Sequence, residues 1–103
     1  MTRSPAAVER VWIAVSPEGI EHCVTLRVGI AQQQPRGEWV SKVSLEPIDS
    51  HTYTSVGGDS WQAVQLGMGL IEGIVRRLHS DGWRFFWERG GDEAPPSDLK
   101  SIA

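Results

Sequence analysis

The chain has 103 residues, 40% hydrophobic and 22% charged, with a formal net charge of −3. That is one domain able to bury a core of its own, and its mild acidity gives no general basic field for nucleic acid or an anionic membrane. Cys23 is the single cysteine, which excludes an intramolecular disulfide framework.

Met1 to Ala7 carry one arginine and no apolar stretch follows, so no secretory signal is expected. No apolar run approaches the roughly 20 residues that span a bilayer. The expectation is a cytoplasmic protein without membrane association.

Residues 8–16 (VERVWIAVS) alternate. Val11, Ile13 and Val15 point one way and Arg10, Trp12 and Ala14 the other, which predicts a strand with the first set inward. Ser16-Pro17-Glu18-Gly19 suits a type I turn. Residues 22–31 (HCVTLRVGIA) alternate again, with Val24, Leu26, Val28 and Ile30 inward. Cys23 alternates with that apolar face and is expected to be half buried. Gln32–Gly37 reads as a loop. Residues 38–46 (EWVSKVSLE) form a third strand with Trp39, Val43 and Leu45 inward. Short connections between three successive strands imply an antiparallel meander. Residues 50–56 (SHTYTSV) give a weaker fourth strand or an extended segment after Pro47.

The period then changes. From Asp59 to His79, Val64, Met68, Ile71, Val75 and Leu78 recur at helical spacing. Asp59 or Ser60 serves as N-cap, Asp59-x-x-Gln62 resembles a capping box, and Gly82 suits the C-terminal cap. Gly67, Gly69 and Gly73 each cost the helix about 1 kcal/mol relative to alanine, so close packing on the sheet is expected to explain them. Trp83–Trp87 (WRFFW) is a short aromatic strand, and the tail from Glu88 reads as irregular, with a short turn near Ser97–Lys100. The fold class is α+β: a mainly antiparallel sheet of four or five strands, one long helix on one face, then the aromatic strand. The domain spans 1–103, with an ordered core over about 8–88 and an irregular tail over 89–103. Core candidates are Ile13, Leu26, Val28, Trp39, Val43, Val64, Met68, Ile71 and Val75.

The helix-start motif Gly57-Gly58-Asp59-Ser60, followed by Ala63, Gln65 and Leu66, resembles the phosphopantetheine attachment site of acyl and peptidyl carrier proteins. The resemblance implies an arm on Ser60, where a helix N-terminus favours phosphate. It covers about ten residues. Carrier domains are helical bundles, whereas here the preceding residues alternate with period two, so the site match reads as coincidental. A second resemblance covers most of 8–99. The chain is similar to short uncharacterised bacterial proteins in which a β-rich half leads into Gly-x-Asp-Ser-x-Gln-Ala-x-x-Leu, then a helix and an aromatic strand. Gly57 or Gly58, Asp59, Ser60, Gln62, Ala63 and Leu66 carry it. It implies a fold and no particular activity.

His22, His51 and His79 show no metal-ligand spacing, and neither a metal nor a cofactor is expected. His51 with Asp49 forms an acid–base pair if a cleft encloses them, and an enzyme reading needs His51, Asp59 and Ser60 within hydrogen-bond reach. The face of the sheet opposite the helix is expected to carry Trp12, Thr25, Arg27, Val40, Lys42, Ser44, Arg84 and Phe86. Basic and aromatic residues together suit a protein partner or a homodimer and, as an alternative, nucleic acid. The leading expectation is a non-enzymatic interaction module acting through this face or a sheet edge, with Trp12, Arg27, Lys42 and Arg84 as contact residues. A carrier function through Ser60 is the alternative.

Overall fold

The computed structural model describes residues 6–99. Its elements are β1 (Ala6–Val15), β2 (Glu21–Gly29), β3 (Gln32–Gln33), β4 (Trp39–Glu46), β5 (Thr52–Gly57), α1 (Ser60–Ser80) and β6 (Arg84–Phe86), followed by a 3₁₀ turn at Pro96–Leu99. All pairings are antiparallel. β2 pairs β4 through Val28↔Val43, and β3 pairs the same strand through Gln32↔Val40. Three residues on one side thus face two on the other, so β3 is β2 continued past a one-residue bulge. The spatial order is therefore β5, β4, β2 with β3, β1, β6. This is the expected α+β architecture: a meander, a helix across one face, and the aromatic strand on the far side of β1.

Two turns share one construction. Gly19 N–H donates to the Ser16 carbonyl at 2.8 Å, and Gly37 N–H donates to the Gln34 carbonyl at 2.8 Å. Each turn is x-Pro-x-Gly, and its glycine takes positive φ, 86° and 100° respectively. Proline presets the first turn angle and glycine accepts the left-handed one, so the strands reverse with little strain. The QQQPRG loop is accordingly tighter than expected, because its first two glutamines remain in the sheet.

The helix begins as its sequence predicts. Asp59 is extended and accepts the Gln62 N–H at 2.8 Å, while the Gln62 side chain accepts the Gly58 N–H at 2.6 Å. This reciprocal pair satisfies two donors near the helix start. At the other end Trp83 N–H reaches the Leu78 carbonyl and Gly82 N–H the His79 carbonyl, with Gly82 at φ 104°. These bonds form a Schellman cap.

The core lies between α1 and the sheet, and its face on β1 is opposite to the predicted one. Trp12 and Ala14 are fully buried, whereas Val11 is 53% exposed. The register explains this: Trp12 sits opposite Val24 and Arg10 opposite Leu26, so β1's even positions join the buried face of β2. Both faces of β1 are apolar, so its alternation alone could not choose between them. Val24, Leu26, Val28, Val43, Leu45, Ile71, Val75, Phe85 and Ala94 are buried with Trp12 and Ala14, with Val64 and Met68 partly buried. Ile13, expected in the core, is buried too, on the other face of β1. Trp39 is half-buried, and Cys23, expected to be half buried, is exposed.

The segment read as an irregular tail closes this core. Phe86 bridges to Glu93, Ala94 N–H donates to the Phe85 carbonyl at 2.7 Å, and Ala94 and Pro96 are buried. Arg10 fastens it by donating to the Asp98 carbonyl at 3.1 Å, its guanidinium lying 5.6 Å from the Trp12 ring centroid and 5.0 Å from that of Trp87. Such cation–π contacts suit a cation half withdrawn from water. Residues 100–103 of the expected tail lie outside the described residues.

Candidate interaction surface

Of the four expected contact residues, Trp12 is not on the open face. It is fully buried, packed against Phe85 at 5.8 Å and edge-on to Trp87 at 5.4 Å between ring centroids. No hydrogen-bond acceptor among the described residues reaches its buried indole N–H. Arg27, Lys42 and Arg84 do lie on the face away from α1, because they alternate with buried Leu26, Val43 and Phe85. Two of the three pair with acids. Arg27 Nε lies 3.2 Å from a Glu9 carboxylate oxygen, and Arg84 Nε donates to Glu93 at 3.2 Å with a second bond from Nη2. The pairing to Glu93 holds the Arg84 guanidinium above its usual range and the Glu93 carboxyl below its own. Lys42 is exposed. Charge on this face is therefore largely neutralised within the fold.

Ser60 is the first helical residue and is exposed, while Asp59 does the capping. The fold around it is an antiparallel sheet, not the helical bundle of a carrier domain. Gly57 has its own structural reason. A Cβ there would stand 2.5 Å from Ala63 N, so the strand can pass under the first helical turn only as glycine.

His51 and Asp49 do meet, outside any enclosing cleft. Asp49 Oδ1 accepts the His51 N–H and lies 2.9 Å from its Nδ1, and the Tyr53 hydroxyl donates to Oδ2 at 2.7 Å. The His51 side chain is 77% exposed. Burial by itself raises the Asp49 pKa, but the Tyr53 hydroxyl and His51's two hydrogen bonds outweigh it and hold the carboxyl below its usual value. The same bond raises Tyr53. The cluster fastens the β4–β5 connection. Asp59 and Ser60 lie at the far end of β5, roughly 17 Å or more along a six-residue strand. The triad needed for the enzyme reading is therefore not assembled. Among the described residues no group of three or more His, Cys, Asp or Glu could hold a metal ion, and no helix is long and apolar enough to cross a membrane.

Protein-family models, curated proteins and solved structures were compared with the chain, and none matches.

Exposed apolar residues lie on both flanks of α1. One flank borders a groove of about 560 Å³, lined by Ala7, Ile30, Ala31, Trp61, Val64 and Met68 along with Ser60 and Gln65. Trp61 is 78% exposed at its rim. The other flank runs along β5. Leu66, Leu70, Gly73 and Arg77 share that flank by their spacing of four, seven and eleven residues. Leu66 is 47% and Leu70 37% exposed. Trp61, Val64 and Met68 line the groove beside Ala7, Ile30 and Ala31 on the first flank, which leaves this one on the β5 side.

The two sheet edges differ. β6 is three residues long and its outer side is occupied by the returning chain at Glu93 and Ala94. β5 pairs only with β4, so its outer edge meets no described strand. Its sequence Thr-Tyr-Thr-Ser-Val-Gly contains no charge and no proline. Edge strands are usually protected by such residues, because unpaired N–H and C=O groups invite another strand. Sequence reading placed a strand here but had no means of showing that it ends the sheet.

Proposed function

We propose that this chain is a non-enzymatic interaction module that takes its partner along the outer edge of β5. The unprotected, uncharged edge carries the reading, with exposed Leu66 and Leu70 beside it. A strand added there gains main-chain hydrogen bonds, and the leucines supply apolar area. The pairing of Arg27 with Glu9 and of Arg84 with Glu93 counts against the open face as the docking surface. It also removes most of the positive field that a nucleic-acid partner requires.

The test is a photo-crosslinking amino acid placed at Thr54 on the edge strand, or at Val11 on the open face, in living cells. Adducts from Thr54 and few from Val11 are expected. Adducts from Val11 with none from Thr54 overturn the edge assignment.

A further inference from the structure

We propose that the partner at this edge is a second copy of the chain, joined by antiparallel pairing of β5 with itself around a two-fold axis through Thr54. This rests on the edge reading and adds the occupant and the register. An antiparallel strand pair can be self-complementary, and centring it on Thr54 sets Thr52 against the partner's Val56. Cross-strand pairs of β-branched residues are favourable, and the register places no charge opposite a like charge within the strand.

The helix layer fits the same axis. α1 packs on β4 and β5 and more lightly on β2, with Gly67 set against Val28, Val43 and Ser55, so its axis runs above β4 on the side of β5. With strands about 4.8 Å apart, that axis stands about 5–7 Å from the two-fold. The two helices would then lie about 10–14 Å apart, close enough for long side chains to meet between them though wider than the roughly 8–10 Å of closely packed helices. The flank turned toward the axis is the exposed one that carries Leu66 and Leu70.

The level along the helix also agrees. Ser55 donates to the Ala63 carbonyl at 2.7 Å and lies against Gly67, so Thr54 falls near position 68 of α1. Antiparallel helices centred there set Leu66 against the partner's Leu70 and Arg77 against the partner's Asp59. The apolar pair is central and the opposite charges lie at the ends, so the flank is complementary to itself. Closed two-fold symmetry uses up the edge in both copies and leaves no strand free for further growth.

The test uses the purified full chain with Cys23→Ser, which removes the exposed native thiol. In an antiparallel pair, residues facing each other on the axis have Cα atoms about 4.5–5.5 Å apart, within disulfide reach. Thr54→Cys is therefore expected to form a covalent dimer under mild oxidation, and Val11→Cys is not. In sedimentation equilibrium Leu66→Glu with Leu70→Glu should weaken the dimer by about tenfold or more, with the circular dichroism spectrum unchanged. A chain that stays monomeric at millimolar concentration, while the Thr54 probe still captures another protein in cells, overturns self-pairing and leaves the edge reading standing. A dimer cross-linked through Val11 and not through Thr54 overturns both.

Discussion

Glycines 57, 67 and 69 predict three different outcomes for one substitution. In α1, alanine for glycine is worth about 1 kcal/mol of intrinsic helix propensity. At Gly69 nothing lies within 4 Å of an added Cβ, so Gly69→Ala should keep the whole gain. In a domain of this size that raises the melting temperature by about 4–8 °C. At Gly67 the same Cβ meets Val28 Cγ1 at 2.9 Å, Val43 Cγ2 at 3.1 Å and Ser55 Oγ at 3.2 Å. Both valines are held in stiff rotamers, and overpacking of this kind costs about 1–3 kcal/mol. Gly67→Ala should therefore be destabilising by up to about 2 kcal/mol net of the propensity gain. At Gly57 the obstacle is the helix backbone, 2.5 Å away, and a strand position gives no propensity gain. Gly57→Ala should cost about 3 kcal/mol or more. Urea denaturation followed by tryptophan fluorescence, in dilute protein, reads all three. If Gly67→Ala proved as stable as Gly69→Ala, the helix would not approach the sheet where the structure places it.

Other consequences are as direct. Trp12→Ala should cost about 3–5 kcal/mol and leave little folded protein, whereas Lys42→Ala should stay within about 0.5 kcal/mol of the parent in the same assay. Asp49 is depressed below its unfolded pKa, so its contribution is present above the usual carboxylate range and is lost as the pH falls through the lower native value. Tyr53 is raised, so its contribution is present below about pH 10 and is lost as the pH climbs through the higher native value. Denaturation midpoints measured against pH should lose both dependences in Tyr53→Phe with Asp49→Asn; unchanged slopes would break the assignment. Asp59→Ala should cost about 1 kcal/mol and Ser60→Ala only a few tenths. Incubation with coenzyme A and a phosphopantetheinyl transferase should add no mass at Ser60, and an added arm would restore the carrier reading.

Much of the fold was legible because its signals are local. The Ser16-Pro17-Glu18-Gly19 turn, the change from period two to helical period at Asp59, the Asp59–Gln62 cap and the Gly82 terminator each need only a few neighbouring residues. Each stands in the structure where the sequence puts it. The Gln32–Gln33 extension of β2 was missed because glutamines carry no strand signal and only pairing with Trp39 and Val40 holds them in the sheet. The short turn expected near Ser97–Lys100 stands at Pro96–Leu99, but the packing of Ala94–Leu99 on the core was missed for a similar reason. The segment's paired prolines argue against regular elements, and nothing local reveals that Arg10 and Phe85 lie ready to bind it.

The candidate surface shows the division more sharply. Sequence alone determined that the segment before α1 is polar, β-branched and extended and that α1 carries an apolar stripe. It could not say that β5 ends the sheet, since strand order depends on which distant segments pair. It also could not choose the buried face of β1, where Val11, Ile13 and Val15 alternate with Trp12 and Ala14 and both sets are apolar. That choice belongs to the register, in which Trp12 meets Val24 and the even positions share one buried face with β2. A slip of one residue would have exposed the tryptophan and buried the valines, because side chains alternate with a period of two. Local chemistry thus set the elements and their ends, while long-range pairing decided which surfaces were left for a partner.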